Sequence, residues 1–195
     1  ALAEDIQEIV DLTLENTVIR DRFTGTAVLT HQQARDLGCL GYVARASGLA
    51  TDARIDHPVS ELVCDLVTDL PGDLPATPLT APTGDVLARF TLRATEFAAS
   101  TQLAVHLINA ADLLSFRGTA PPGSAGLSGV GIVEGWRGTI VHRVEVEAGR
   151  LTRVKIVDPS WFNWPALPLA LAATIVPDFP VTNKSFNLSY AGNDL

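Results

Sequence analysis

The residue types that do chemistry are present in this chain, but mostly in spacings that rule out the common reactions. Cys39 and Cys64 stand apart with no Cys-x-x-Cys pair, so neither a disulfide framework nor a thiolate metal site is written in their spacing. His31, His57, His106 and His142 are scattered without ligand spacing; His106 reads as a core or boundary residue and His142 as a solvent-facing position of a hairpin. No nucleophile elbow, phosphate loop or glycine-rich dinucleotide fingerprint occurs. Charged residues are the better signal. In "RASGLATDAR", Arg45, Asp52 and Arg54 lie among glycines and small residues, a pattern suited to a partly buried ion-pair network that fixes loops beside a site. The alternative is a set of surface salt bridges worth under about 1 kcal/mol each. Arg89, Arg93 and Glu96 fall three and four residues apart, on one helix face, where they pair with each other, with a neighbour, or with solvent. Glu134 and Arg137 in "VEGWRG" sit in a glycine-flanked turn that lets both point inward as a bonded pair, which is costly to break from one side.

These residues need elements to hold them, and the composition allows a real core: 195 residues, 47% of them hydrophobic. The formal net charge of −8, with 14 Lys and Arg against 22 Asp and Glu and no basic run, excludes a nucleic-acid or anionic-membrane surface. The cysteines read as buried and reduced. No apolar stretch reaches the roughly 18 to 20 residues of a membrane span, and the longest candidate, 166–176, is bracketed by prolines. The chain begins at Ala1, contains no Met, and opens on residues resembling the inside of a helix; the expectation is a piece of a longer protein, with 1–195 a single C-terminal domain.

Apolar residues at Leu2, Ile6, Ile9, Val10 and Leu14 predict an amphipathic helix. "THQQARDLG" predicts a short helix capped by Thr30 and stopped by Gly38. "ARASGLATDARIDHP" fits no period. The Pro- and Gly-rich stretch 71–84 reads as an exposed connector, and Asp85 as the N-cap of a long helix to about Leu114 that needs a bundle to pack in. Residues 120–129 read as a loop. "TIVHRVEVE" and "LTRVKIVD" alternate around Ala148-Gly149-Arg150 and predict an antiparallel hairpin. Asn163 and Pro165 open a last helix that Pro177 ends. The fold class is α+β, mostly helical: a long-helix bundle with one β-hairpin.

Four motifs in fixed order carry a resemblance: Phe23 to Pro58 ("FTGTAVLTHQQARDLGCLGYVARASGLATDARIDHP"), Gly84 to Ser100 ("GDVLARFTLRATEFAAS"), "VEGWRG" from Val133 to Gly138, and the closing "DFPVTNKSFNLSYAGNDL". Together they span nearly the whole chain. The chain resembles the C-terminal part of the large subunit shared by respiratory complex I (NADH:quinone oxidoreductase) and membrane-bound, energy-converting nickel–iron hydrogenases of the formate hydrogenlyase type. It departs from that pattern at Trp136, where the family writes Pro, at Thr139, usually Glu, and at Val157, commonly Arg.

The family's hydrogenase ending places two metal-binding cysteines in a pattern that Asp178, Pro180, Ser185 and Asp194 match here. Ser189 and Gly192 occupy the cysteine positions, and neither supplies a thiolate. The resemblance therefore implies a large-subunit domain without metal, lining a quinone-type redox cavity and docking an iron–sulfur subunit, in an oxidoreductase peripheral to the cytoplasmic side of a membrane. By the same resemblance, Arg45, Asp52, Arg54, Glu134, Arg137, Asp178, Ser185 and Asp194 form the cavity and its structural network. Quinone, NAD(P)H and iron–sulfur clusters are implied only for the parent complex, and the fragment alone is not expected to be catalytic. An active hydrogenase centre is the alternative that Ser189 and Gly192 oppose; a non-redox scaffold with the inherited fold is the other. Large exposed apolar patches, or a homodimer that covers them, are expected of the isolated chain.

Overall fold

The computed structural model describes residues 2–58, 78–110 and 126–194, without the side chains of 106, 107, 109 and 110. Cys64, the C-terminal end of the predicted long helix, the first half of the 71–84 connector and the first part of the 120–129 loop lie outside these residues. Helix α1 (Leu2–Glu15) is followed by α2 (Thr17–Phe23), α3 (His31–Asp36), α4 (Gly41–Ala46) and α5 (Ala53–Asp56). The long helix α6 (Val86–Ala110) precedes a sheet of β1 (Leu127–Gly135), β2 (Gly138–Glu147) and β3 (Arg150–Val157). Short helices α7 (Ser160–Asn163) and α8 (Ala166–Leu171), a 3-10 turn (Val176–Asp178), α9 (Phe179–Phe186) and α10 (Tyr190–Asn193) close the chain.

The core is assembled from short pieces around the first half of α6. Leu29, Ala34, Tyr42, Val43, Val86, Leu167, Ala170 and Phe186 are buried together. Thr30 caps α3 in a reciprocal box with Gln33, and Gly38, at φ +65°, ends it as predicted. Asp85 is the N-cap of α6: its Oδ1 accepts from the Ala88 amide at 2.8 Å and its Oδ2 from the Gly25 amide at 2.9 Å. The described part of the connector is not wholly exposed. Ala81 and Gly84 donate backbone hydrogen bonds to the carbonyls of Arg45 and Ala46, so this stretch closes the end of α4.

Three sequence expectations change. The segment read as irregular contains the end of α4 and all of α5, helices too short to show a period. The 120–129 loop gives way at Leu127 to a third strand: β1 pairs with β2 from Leu127↔Val146 to Gly135↔Gly138, in the order β1-β2-β3. Its Gly129 and Gly131 hide it from strand propensity. The last helix is really two, α7 beginning at Ser160 and α8 ending at Leu171, and two more helices follow Pro177, because Pro180 is accepted in the first turn of α9. The hairpin of β2 and β3 is present, with Ala148 and Gly149 both at positive φ, the turn that two-residue hairpins prefer. His142 is exposed, as expected.

Helix α1 has the expected apolar spacing yet buries none of its residues, and Leu2, Ile9 and Leu12 are all exposed. Val130, Leu151 and Val154 of the sheet and Val105 and Ile108 of α6 are exposed as well. Large apolar exposure is thus a property of these described surfaces. Among the described residues no helix is long and apolar enough to cross a membrane.

Candidate functional site

Two glycines bring the site together. Gly41, at φ +62°, starts α4, and Gly138, at φ +136°, starts β2; a Cβ added to Gly41 would run into the Arg137 carbonyl, and one on Gly138 into the backbone of Gly41. Only glycine permits this backbone approach. It sets the last turn of α4 against the end of β1, so Arg45 meets Glu134.

Arg45 is 1% exposed and is the hub. Its Nε donates to Glu96 Oε1 at 2.8 Å, while Nη1 donates to Glu134 Oε1 at 3.0 Å and to the Thr51 carbonyl at 3.0 Å; Nη1 also lies 3.5 Å from Asp52 Oδ2. Burial works against the guanidinium charge, but Glu96 and Glu134 outweigh it and hold the pKa above its ordinary value. Asp52 caps α5 and takes a two-armed contact from Arg54, Nε to Oδ1 at 2.9 Å and Nη2 to Oδ2 at 2.5 Å. Burial again opposes its charge, yet the Arg54 hydrogen bonds and the charges of Arg54 and Arg45 keep its carboxyl below the usual range. The Asp52 hydrogen bond in turn raises the Arg54 pKa. Glu134 Oε2 accepts from the Ala53 amide at 3.1 Å and the Thr139 hydroxyl at 3.0 Å.

Arg45, Asp52 and Arg54 therefore form a partly buried network, as their types suggested, and Glu134 joins it through Arg45. Glu96 belongs to it too, and its i+3 spacing from Arg93 on α6 was the only sequence signal. A cavity of about 220 Å³ opens on this network, lined by Arg45, Arg54, Glu96, Ser100, Glu134, Gly135 and Trp136. It offers both hydrogen-bond donors and acceptors beside one aromatic face.

The expected Glu134–Arg137 pair does not form. Register places Glu134 opposite Thr139, on the strand face turned toward α5, whereas Arg137 lies in the two-residue turn and its Nε donates to the Asn187 carbonyl. Arg89, fully buried, makes no ion pair among the described residues. It donates to the Gly84 carbonyl at 2.6 Å, the Ala27 carbonyl at 2.9 Å and Ser185 Oγ at 2.9 Å, over the Phe186 ring, and burial lowers its pKa to about 10. Tyr42 donates to the carbonyls of Ser185 and Phe186, and its pKa is pushed up to about 12 by burial.

The remaining candidates lie elsewhere. Asp178 pairs with Arg22 at 2.9 Å, and Asp194 is exposed at the C-cap of α10. Ser185 joins the Arg89 cluster. Ser189 is the N-cap of α10, its Oγ accepting from the Gly192 amide at 2.9 Å. Gly192 packs so closely on Asp158 that an added Cβ would collide with the carboxylate. Among the described residues no three His, Cys, Asp or Glu side chains converge to hold a metal ion. Cys39 is buried, and burial raises its thiol pKa to about 11.

The description "Respiratory-chain NADH dehydrogenase, 49 Kd subunit" matches residues 1–113, and the chain belongs to that family. It is 30% identical over 182 residues to the carbon monoxide-induced hydrogenase of Rhodospirillum rubrum, covering 92% of this chain and 48% of that protein. It is 28% identical over 197 residues to formate hydrogenlyase subunit 5 of Escherichia coli (strain K12), covering 99% of this chain and 32% of that protein. The fold matches a chain in the structure of the membrane-bound sulfane sulfur reductase, an archaeal respiratory membrane complex, with TM-score 0.78 and 22% identity over 100% of this chain and 52% of that one. The chain thus spans about a third and about half of the two curated relatives' lengths.

Proposed function

We propose that this chain is a large-subunit domain of a membrane-associated oxidoreductase, working without nickel, lining a quinone-type redox cavity and docking an iron–sulfur subunit. The observation that carries the reading is the closing segment. Glycine offers no donor atom, the Ser189 oxygen is committed to capping α10, and a carboxylate fills the space beside Gly192. These residues do not fit a nickel–iron centre, whose soft metals call for thiolates.

The chain's own contribution to the reaction is then positional. The Arg45 network fixes the 51–56 loop, α6 and the β1–β2 turn around the cavity, and its charges are paired before any ligand enters, so little reorganisation accompanies binding. Arg54 and Glu96 present a donor and an acceptor to a carbonyl-bearing head group, and Trp136 a flat apolar face. Exposed apolar residues on α1 and the sheet are the surfaces through which neighbouring subunits attach, on the cytoplasmic side of the membrane. The test is metal and quinone content of the purified parent complex. Quinone with no nickel in this subunit is expected; stoichiometric nickel held by this domain overturns the reading.

A further inference from the structure

The sheet divides its side chains by charge. Cross-strand pairing sets Leu127, Val146 and Leu151 in one row and Val144 beside Val154 in the next, all on one face. Every Asp, Glu, Lys and Arg of the three strands projects on the reverse face, among them Arg143, Glu145, Arg153 and Lys155. The first face is thus uncharged and aliphatic, with His142 between Gly131 and Ile156 as its titratable group. It is also open: Leu127, Val133, Leu151 and Val154 are exposed, and none of its residues is buried. Gly129 and Gly131 lie on it between Leu127 and Val133, and a Cβ added to either meets nothing within 4 Å. Their missing side chains leave a trough along β1 beside the ridge of Val144 and Val146.

We propose that this face receives an uncharged, apolar helix of a neighbouring subunit, lying along the β1 trough. Size argues against a second copy. The face is about 20 Å long and about 14 Å wide at ordinary strand spacing, so two copies would bury roughly 600 Å², well short of the 1,200 Å² or more of a specific dimer. Chemistry argues against a bilayer, because the face presents neither a cation nor an aromatic ring for the headgroup layer. A one-sided sheet is ordinarily covered by a helix, and about four helical turns span 20 Å. Charge complementarity sets the character of that helix: a charged side chain on its inner face would be desolvated against this sheet with no counter-ion. The trough admits one or two of its branched residues. The proposal rests on the reading that the chain works inside a multisubunit complex, and is independent of whether the cavity holds quinone.

The probe is a photo-activated benzophenone side chain, placed singly at Leu151, at Val154, or at Val130 on the reverse face, in the assembled parent complex, with cross-linked peptides sequenced. Leu151 and Val154 are expected to join one apolar stretch of a single neighbouring subunit, at positions three or four residues apart; Val130, equally exposed, does not reach that stretch. Gly129→Val with Gly131→Val fills the trough with residues that suit a strand, and should cut the Val154 yield at least tenfold while the separate chain keeps its thermal midpoint. Cross-links from Leu151 and Val154 to a second copy, to lipid or to no protein overturn the proposal, whatever the glycine variant does. So does a yield unchanged in a glycine variant that folds and assembles. Quinone and nickel are measured on the same preparation, so stoichiometric nickel beside an intact cross-link rejects the redox reading and supports the docked helix.

Discussion

Replacing Arg45 with Met should cost the chain about 4 kcal/mol of stability, and the figure follows from where each abandoned acceptor sits. Asp52 keeps Arg54 on both oxygens. Glu96, whose side chain is 11% exposed, recovers water. Glu134, whose side chain is 3% exposed, keeps the Ala53 amide and the Thr139 hydroxyl but loses its one ion-pair partner among the described residues. Leaving one member of a buried pair uncompensated costs roughly 3 to 5 kcal/mol, a large fraction of the 5 to 15 kcal/mol that typically holds a domain together. Urea unfolding of the full chain, followed by far-ultraviolet circular dichroism at pH 7, measures the loss. The double variant Arg45→Met/Glu134→Gln should regain about 1 to 2 kcal/mol, because it removes the stranded charge while keeping its shape. Arg45→Lys, which retains charge without the fork, should fall between wild type and Arg45→Met. A loss below about 1 kcal/mol for Arg45→Met, with no recovery in the double variant, would refute a buried network and return these residues to surface salt bridges.

Gly41→Ala should destabilise by at least about 3 kcal/mol, since the new Cβ meets the Arg137 backbone at a positive φ; thermal unfolding checks it, and a shift of a degree or less would contradict the close approach. Asp52, held below its ordinary 3.8, contributes stability that is fully present above about pH 4 and is lost as pH falls through its lower folded value. Arg54→Met should therefore move the acid-unfolding midpoint to higher pH; an unchanged midpoint rejects the pairing. In a Cys64→Ser background, Cys39 should resist a thiol reagent at pH 8 until the chain unfolds, and rapid native labelling would show that its burial is wrong.

The sequence revealed charges more reliably than partners. Arg45, Asp52 and Arg54 were legible as a network because they stand among small residues that leave room for buried ion pairs. The partner of Glu134 was not, because it depends on register. The alternation of strands decides which face a side chain takes, and β1 carries two glycines that mask its alternation. Helices of four to six residues, such as α5 and α10, complete at most one or two turns and leave no periodic trace; their caps, Asp52 and Ser189, were the only local signals. Arg89 was placed on the right helix face, but its role as a donor to three oxygens needs the chain reversal at 25–29, which no local pattern encodes.

The closing segment, where Ser189 and Gly192 stand at the positions that the resemblance assigns to cysteines, is anchored by the protein's own groups. Arg89 holds the Ser185 hydroxyl, Tyr42 the carbonyls of Ser185 and Phe186, and Arg137 that of Asn187. Ser160 Oγ receives the Ser189 amide at 3.0 Å, and the Trp164 indole reaches the Ser189 carbonyl at 3.4 Å. Every one of these donors and acceptors belongs to the protein, and each comes from a different element: α6, α4, the β1–β2 turn, α7 and the α7–α8 junction. A segment tied at five points to five elements needs no metal bond to keep its path. Substituting the pair Ser189→Cys and Gly192→Cys would therefore introduce thiols without creating a site, because the second Cβ enters the space held by Asp158, whose own oxygen caps the Ser160 amide at 2.7 Å. Relief of that collision requires moving α7, and α7 carries the Asn163 clamp on both backbone groups of Leu40, the residue that precedes Gly41 and the whole Arg45 network. Gly192 and the ion-pair hub are thus mechanically joined through Asn163, so a change that displaced Asp158 would loosen the hub.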